Sequence, residues 1–349
     1  MVDKKVIKEA LESLMINEEF QNVKKNSLTP EDIKSKFSSH IGFEKEKEKF
    51  ADQVYLYLET GGNFWPQREV TCYAGAPGTG KTSFVRTLSK VMGRPIEIIQ
   101  CAGLKEFKDY SVLGDKNKPS LVTWVIEKNK CKNPIILFDE LEKVEEGSEI
   151  QKDLIKLFAM YKNEGEDRSK ELFDAYYDMN IELDHVSFFA TVNYPENLAP
   201  LLKKNVTMNN LEDYKTEEKI EILKLKKTEI EQRIQKIYGK EAKDFIPDEL
   251  IKELPNYIRE DGIRQSERVL LKIGEEYVFA RERGKNFKIE NSKQWLKNNV
   301  LAYQEKFRAD KKHYFLYVLW GIIWILLLAV IIKVIILGKK NNKLSKNEK

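Results

Sequence analysis

Cysteine and histidine are both scarce in this sequence, with 3 of each in 349 residues. The cysteines, Cys72, Cys101 and Cys131, are widely spaced and lie within or beside apolar runs, which favours reduced core residues over a disulfide framework or a metal site. The histidines form no His-Glu-x-x-His pair and no cluster with cysteine, which excludes a zinc hydrolase of the usual kinds. We therefore expect a reducing, cytosolic environment.

A large excess of charge of either sign is also missing. The 60 Lys and Arg residues nearly balance the 56 Asp and Glu residues, and the net charge is +4. This balance gives no electrostatic case for nucleic acid as the main ligand. With 42% hydrophobic and 33% charged residues and only 17 glycines and 10 prolines, the composition indicates a globular protein of roughly two domains.

Only one long apolar run is present, near the end of the chain. Residues 314–337 are apolar at nearly every position, and a helix of this length, at about 1.5 Å per residue, exceeds the roughly 30 Å hydrocarbon core of a bilayer. We expect this segment to span a membrane, with a buried soluble helix as the alternative. Lysines lie on both sides of it, so the positive-inside rule does not orient it.

A glycine-rich loop is the most specific motif in the sequence. Glu69–Ala74 is a short β-prone run, and the string Gly-Ala-Pro-Gly-Thr-Gly-Lys-Thr at 75–82 and a helical pattern through Lys90 follow it. In this context the backbone N–H groups surround phosphates at a helix N-terminus, Lys81 reaches the β and γ oxygens, and the Thr82 hydroxyl binds Mg²⁺. The predicted nucleotide-binding residues of the loop are Gly75, Pro77, Gly78, Thr79, Gly80, Lys81, Thr82 and Ser83.

Two further predicted strands end in polar side chains. The apolar run Pro134–Glu140 ends in two carboxylates, and Val186–Val192 is followed by an amide. Because the carboxyl ends of parallel strands meet at one edge, these side chains are expected beside the nucleotide. We expect Asp139 to bind Mg²⁺ through water, Glu140 to polarise the attacking water, and Asn193 to orient that water or sense the γ-phosphate. An ordinary turn residue is the alternative for Asn193.

These residues, in this order, resemble an AAA+ ATPase, and more closely the ATPase module of the Lon protease family. The similarity begins at the lead-in His40-Ile41-Gly42, continues through the strings at 75–83 and 133–143, and reaches Gly262-Ile263-Arg264, so it covers about residues 35–300. The resemblance places His40 and Ile41 with the nucleotide-binding residues. It implies that Lys81 and Thr82 are the Walker A residues and that Asp139 and Glu140 are the Walker B pair. By the same resemblance, Asn193 is sensor 1 and Arg264 is sensor 2.

The resemblance also implies partners. Members of the family form hexameric rings that thread protein substrates through a central pore while hydrolysing ATP with Mg²⁺, so we expect a homo-oligomer and protein substrates. The stretch similar to the pore loop is Ser111–Gly114, but Val112 and Leu113 stand where the family has an aromatic and then an aliphatic residue. Lys204 occupies the position of the arginine finger, and an ammonium lacks the fork of a guanidinium.

The expected fold class is an α/β P-loop AAA+ nucleotide-binding domain with a parallel sheet, followed by a helical lid subdomain and one C-terminal transmembrane helix. The segments are an N-terminal helix at 1–30, the large α/β subdomain at 31–208, the lid at 209–303, a basic linker at 304–313, the span at 314–337 and a basic tail at 338–349. Within the lid, Pro247 interrupts the helical pattern, and Phe287–Glu290 resembles a short closing strand. If this domain uses ATP it must face the cytosol, which predicts a single-pass, tail-anchored arrangement unless the apolar helix is re-entrant.

Three functions compete at this point. The leading one is a membrane-anchored ATPase that remodels or unfolds proteins; after Trp295 the sequence resembles no Ser-Lys protease domain, so we expect a separate protease as a partner. The second is an ATP-binding oligomeric switch or scaffold that hydrolyses little, favoured by Lys204 and the aliphatic pore loop. The third, a DNA-directed ATPase, needs a basic or aromatic surface that the sequence does not reveal.

Overall fold

The computed structural model describes residues 4–16, 29–60, 69–162, 171–239 and 242–301. The chain divides into two compact units. The first unit holds the described residues up to Leu225 together with Glu260–Arg264, and the second holds Lys226–Arg259 and the described residues from Gln265 onward. The predicted segment boundaries, including the one at residue 208, stay predictions.

The strands of the described residues all lie in the first unit. They are β1 (Thr71–Ala74), β2 (Ile96–Gln100), β3 (Ile135–Asp139), β4 (Glu171–Asp174), β5 (Met179–Glu182), β6 (Ser187–Val192) and β7 (Thr207–Asn210). Five of these strands form a parallel sheet in the order β2-β3-β6-β1-β7, and β4 and β5 form a separate antiparallel hairpin. The parallel sheet is the predicted one, and its carboxyl ends share one edge.

Helices connect these strands and make up the rest of the regular structure. They are α1 (Lys4–Ile16), α2 (Pro30–Lys36), α3 (Glu44–Glu59), α4 (Lys81–Met92), α5 (Leu121–Asn129), α6 (Glu149–Lys162), α7 (Pro200–Lys204), α8 (Thr216–Tyr238), α9 (Asp248–Tyr257), α10 (Arg264–Glu282) and α11 (Ser292–Leu296). Helix α8 begins in the first unit and continues in the second.

Both faces of the parallel sheet are buried, because successive side chains of a strand point to opposite faces and each face packs on helices. Along β3, Ile135 and Leu137 belong to one apolar cluster, and Ile136 and Phe138 belong to the other. Strands β1 and β6 are buried along their whole length. The continuous apolar runs in the sequence therefore correspond to central strands that are buried on both faces of the sheet.

The three cysteines are free and buried, as predicted. Burial raises the pKa of the Cys72 thiol to about 12. Neutral thiols of this kind act as small apolar side chains.

The predicted N-terminal helix packs on the α/β core. Leu11 of α1 is buried in the same apolar cluster as Phe138, and Ile7 packs against that cluster. Lys8 Nζ donates to the Asp178 carbonyl oxygen at 2.7 Å. The packing face of α1 therefore contains Ile7 and Leu11, whereas Val6 and Ala10 are exposed.

The second unit is helical in its described part. Leu250, Ile251 and Leu254 of α9 and Leu270 and Ile273 of α10 are buried. Pro247 is the N-cap residue of α9, as the predicted break suggested. The expected strand at Phe287–Glu290 is wrong: these residues form a loop, and the described part of this unit contains no strand with which they could pair.

The described residues include no helix with the length and apolarity needed to cross a membrane. The predicted linker at 304–313, span at 314–337 and tail at 338–349 lie outside the described residues.

Candidate functional site

The glycine-rich loop connects β1 to α4 at the carboxyl edge of the parallel sheet. Gly78 and Gly80 have φ values of 86° and 85°, a left-handed conformation that glycine adopts without a Cβ clash. Lys81 is the first residue of α4. The first-turn N–H groups of a helix have no intrahelical acceptor, and together with the helix dipole they favour an anion at this end.

The Lys81 ammonium lies within the loop. Its side chain is buried, and Nζ donates to the carbonyl oxygens of Gly75 at 2.7 Å and Ala76 at 2.8 Å. Burial lowers the pKa of Lys81 to about 8, although Glu142 and other nearby carboxylates act in the opposite direction. The side chain therefore remains mostly cationic at neutral pH and lies where phosphate oxygens would be stronger acceptors than carbonyls.

Asp139 joins three elements at the end of β3. Its Oδ1 accepts from Thr82 Oγ1 at 2.7 Å and from Thr191 Oγ1 at 2.6 Å, and its Oδ2 accepts from Gln100 Nε2 at 3.0 Å. Hydroxyl and carboxylate oxygens are the ligands that Mg²⁺ prefers. The donor set formed by Thr82 and Asp139 therefore fits the predicted metal.

Glu140 turns away from the strand in a left-handed conformation, with φ 58°. Its backbone N–H donates to Thr191 Oγ1 at 3.0 Å, and its Oε1 accepts from Asn193 Nδ2 at 2.9 Å. The Asn193 N–H in turn donates to Oε1 of the buried Glu142 at 3.0 Å. The structure thus brings together Asp139, Glu140 and Asn193, and a carboxylate with a fixed orientation is what general-base chemistry requires.

The lead-in segment reaches the loop through His40. The His40 Nδ1 atom lies 3.2 Å from Ser83 Oγ, and the ring packs on Phe43 and Phe84 with centroids 4.8 Å and 5.3 Å away. Burial lowers the pKa of His40 to about 4. Its Nε2 is buried and has no hydrogen-bond partner in the described part of the chain, and Ile41 beside it is half-buried. His40 therefore lies beside the loop and Ser83, and the nucleotide-binding role of His40, Ile41 and Ser83 stays a prediction.

Tyr214 also lies at the loop, and the sequence did not reveal it. A Cβ atom on Gly80 would collide with the Tyr214 hydroxyl, and one on Gly42 would lie 2.9 Å from the Tyr214 ring. The Tyr214 N–H donates to the Asp261 carbonyl oxygen at 3.3 Å. Its aromatic ring therefore lines the loop beside the lead-in, and the two glycines leave room for it.

Arg264 is the first residue of α10, and its backbone lies close to the loop. A Cβ atom on Gly78 would lie 2.9 Å from Arg264 Cβ, and one on Gly262 would collide with the Gly78 carbonyl carbon. The Ile263 N–H donates to the Gly78 carbonyl oxygen at 3.3 Å. Glycine at 78 and 262 therefore allows this segment to approach the loop closely.

Lys204 lies apart from this cluster. It is exposed at the C-terminal end of α7, where its carbonyl oxygen accepts from Lys162 Nζ at 3.4 Å. An exposed position is compatible with action on a neighbouring subunit, so the role that the resemblance implies stays a prediction.

The expectation of a pore loop at Ser111–Gly114 is wrong in one respect: the side chains that would contact a polypeptide in the pore are packed against the domain core. Val112 is 1% exposed and belongs to the core, and Leu113 packs against it. Tyr110 is also buried, with its ring 4.5 Å from that of Trp124. The apolar character of these side chains favours burial in the domain over contact with a polypeptide.

The residues that the sequence analysis missed share a location. Gln100 is the last residue of β2, Thr191 lies near the end of β6, and Glu142 follows Asp139 by three positions. Thr191 lies one position before the end of the predicted strand run Val186–Val192, which is a signal for it, whereas Gln100 ends a strand that the sequence analysis did not predict. Tyr214 follows β7 by four residues and carried no such signal.

Comparison with known proteins agrees with this geometry. Residues 71–211 match the model of the family described as "ATPase family associated with various cellular activities (AAA)". The Lon protease of Malacoplasma penetrans is 26% identical over 286 residues, covering 79% of this chain and 35% of that protein. The Lon protease of Campylobacter concisus is 27% identical over 309 residues, covering 84% and 37%.

A similar solved structure is the Thermotoga maritima RuvB Holliday junction branch migration motor, with a TM-score of 0.48, 16% identity, and coverage of 74% of this chain and 69% of that one. The chain spans about a third of the length of the Lon proteases it matches. Residues 71–211 are thus similar to the AAA ATPase family, and Lon proteases are relatives of this chain at modest identity.

Proposed function

We propose that this protein binds ATP with Mg²⁺ at the loop before α4 and hydrolyses it. The observation that carries the proposal is the arrangement at the ends of β3 and β6, where Asp139 binds the Thr82 hydroxyl at 2.7 Å and the adjacent Glu140 is held by Asn193 at 2.9 Å. A metal ligand pair and an oriented base thus lie next to a phosphate-binding loop.

Each residue has a defined role in the proposed reaction. Lys81 and the first-turn N–H groups of α4 bind the phosphates, and Thr82 and Asp139 hold Mg²⁺. When bound, Mg²⁺ neutralises charge on the β- and γ-phosphate oxygens. Glu140 accepts a proton from the water whose oxygen attacks the γ-phosphorus, and ADP leaves with the electrons of the broken P–O bond. Asn193 orients Glu140, and Arg264 supplies positive charge to the phosphates.

The proposed working form is a homo-oligomer, a hexameric ring in which Lys204 of one subunit approaches the nucleotide of the next. The exposure of Lys204 at the end of α7 supports this assignment. An ammonium supplies charge without the bidentate geometry of arginine, so hydrolysis is expected to be slower than with a guanidinium at the same place.

We further propose that hydrolysis remodels or unfolds protein substrates at a membrane and feeds a separate protease. The relatives named "Lon protease" support protein substrates, and the apolar sequence at 314–337 supports an anchor that leaves the ATPase domain facing the cytosol.

The remodelling activity can be tested with a fluorescent protein that carries an unfolded tail. The wild-type chain with ATP should reduce the fluorescence of the folded part, whereas Glu140→Gln with ATP and the wild type with ADP should not. ATP turnover by the wild type with unchanged fluorescence for several such clients, tailed at either end, would contradict protein unfolding as the function.

A second function, an ATP-binding oligomeric switch with little hydrolysis, has its own support. The expected pore-loop side chain Val112 is buried, and lysine replaces arginine at position 204. If the protein is a switch, its oligomers should differ in mass between solutions containing ADP and solutions containing ATP. Wild type and Glu140→Gln should then hydrolyse ATP at equally slow rates. A motor would instead show a large difference in turnover between these two proteins.

A further inference from the structure

A second recessed site lies between α5 and the β4–β5 hairpin. It is a cavity of about 260 Å³, and none of its lining residues belongs to the nucleotide site. Three aromatic residues, two carboxylates and one ammonium define its character. They are Trp124, Tyr176, Tyr177, Asp109, Glu127 and Lys128.

The aromatic walls are held in place by packing. The Trp124 ring lies 4.5 Å from that of Tyr110. Tyr176 and Tyr177 meet edge to face at 4.8 Å, and their backbone N–H groups donate to Oδ1 of the fully buried Asp174 at 2.9 Å and 3.2 Å. A ligand would therefore meet a surface that is already ordered, which lowers the entropic cost of binding.

The site also has uncompensated negative charge. Glu127 Oε2 accepts from the Tyr177 hydroxyl at 3.1 Å, which orients the carboxylate. Its Oε1, and the exposed carboxylate of Asp109, receive no hydrogen bond from the described residues. Lys128 does not neutralise them, because its Nζ is paired with Glu97 Oε2 at 2.8 Å.

The lysine shows that a cation is accommodated at this indole. Lys128 Nζ lies 4.6 Å from the centroid of the Trp124 ring, within the distance at which a cation is attracted to an aromatic face. Because Lys128 already lies over the indole, a second cation would bind against the rings of Tyr176 and Tyr177, with Glu127 and Asp109 as its counter-charges.

We propose that this cavity binds an arginine side chain presented by an extended polypeptide. A guanidinium is planar, stacks on aromatic rings and donates from its rim to carboxylates, whereas an anionic or purely apolar ligand would leave Glu127 and Asp109 unpaired. The volume of about 260 Å³ is below the roughly 300–1,000 Å³ of small-molecule sites, as suits one side chain. The identification of the polypeptide as a substrate to be remodelled rests on the proposed function.

The binding can be measured by fluorescence anisotropy on the full chain without nucleotide. The probe is a labelled peptide Gly-Ser-Arg-Ser-Gly, and its comparison is the same peptide with citrulline, which keeps the shape of arginine and removes the charge. The arginine peptide should bind at least about tenfold more tightly, the effect of one charge-assisted hydrogen bond. Equal affinity of the two peptides would overturn the proposal.

Two substitutions assign the binding to this cavity. Glu127→Gln can still accept from the Tyr177 hydroxyl, and it should weaken binding of the arginine peptide about tenfold, to the level of the citrulline peptide. Glu171→Gln removes the same charge from an exposed position on β4 outside the cavity and should leave binding unchanged. Arginine binding that Glu127→Gln leaves intact would also overturn the proposal. If Glu127→Gln does not fold, Asp109→Asn, at an exposed position of the same cavity, takes its place and should weaken arginine binding in the same way.

The test is independent of ATP hydrolysis. Peptide binding without nucleotide reports on the cavity alone, whereas turnover by the wild type and Glu140→Gln reports on the proposed function. If the chain binds the arginine peptide selectively but does not hydrolyse ATP, the proposed ATPase activity is contradicted and the assignment of the cavity is supported.

Discussion

The nucleotide site and the helical second unit use charged residues in opposite ways. At the site, Lys81 is buried, and Asp139 accepts hydrogen bonds from Gln100, Thr82 and Thr191, which are 39, 57 and 52 positions away in the sequence. In the second unit, Lys272 pairs with Glu276 four positions away, and Lys226 pairs with Glu229 and Glu267, all at positions that stay accessible to water. Charges of the first kind are at least partly buried and held by several hydrogen bonds, whereas water and salt screen the accessible pairs of the second kind, which contribute little to stability.

The largest effect is expected at the buried lysine. Lys81→Ala should weaken ATP binding about 1,000-fold, because several charge-assisted hydrogen bonds to phosphate are lost at once. Lys90→Ala is the matched control, since Lys90 is exposed on the same helix, and its affinity should equal that of the wild type. Titration with a fluorescent ATP analogue measures both. An affinity of Lys81→Ala within threefold of the wild type would contradict the assigned site.

The residues at the site differ in how well the sequence predicts them. Lys81, Asp139, Glu140 and Asn193 follow from a local string or from the end of an apolar strand, because a parallel sheet places those ends together. Tyr214 could not be predicted, since its position beside Gly80 depends on the path of the chain after β7.

For the loop at 111–114, the local sequence predicted the wrong environment for the side chains. Its resemblance to a pore loop was local, whereas Val112 is buried in the apolar core and Tyr110 packs on the Trp124 ring, contacts that the adjacent sequence does not specify. The strand expected at Phe287–Glu290 failed for a similar reason, because a strand needs a partner and the described part of the second unit offers none.

A pH-dependent loss of stability, arising in the first unit, is the next largest effect. Burial lowers the pKa of His40 from about 6.5 to about 4, so the unfolded state takes up a proton before the folded state does. The contribution of His40 to stability is therefore fully present above pH 6.5 and is lost as the pH decreases from about 6.5 to 4, by up to about 3 kcal/mol.

His40→Gln should flatten this acid dependence in denaturant titrations at pH 7, 6, 5 and 4. His185→Gln is the control, because burial also lowers the pKa of His185, but by less. An acid dependence in His40→Gln as steep as that of the wild type would show that His40 is not a buried neutral residue.

A smaller effect is expected at a residue that no motif contains. Thr191→Val keeps the shape of the side chain but removes the donor to Asp139 and the acceptor for the Glu140 N–H. We expect about a tenfold decrease in kcat and a higher Mg²⁺ requirement, because one oriented hydrogen bond to a carboxylate is lost. Thr207→Val, in β7 of the same sheet, should leave both quantities near wild type. Equal Mg²⁺ dependence of Thr191→Val and wild type would remove Thr191 from the site.

The smallest effect belongs to the second unit. Lys226 contacts Glu229 at 3.1 Å and Glu267 at 3.3 Å and is 31% exposed. Lys226→Ala should lower the free energy of unfolding by less than about 1 kcal/mol, and the difference should shrink at high salt. Chemical unfolding at low salt and at about 1 M NaCl tests this, since salt at that concentration screens exposed charges. A loss above about 2 kcal/mol would mean that this ion pair stabilises the second unit as strongly as a buried ion pair would. The difference between the charges of the nucleotide site and those of the second unit would then not hold.

The most direct measurement is steady-state ATP turnover by the wild-type chain and Glu140→Gln, with ATP binding measured for both. A hydrolytic site in which Glu140 is the base predicts that Glu140→Gln binds ATP as tightly as the wild type and turns it over about 100- to 10,000-fold more slowly. Equal turnover by the two proteins, at equal ATP occupancy, would contradict the assignment of Glu140 and with it the account of this site as an ATPase centre.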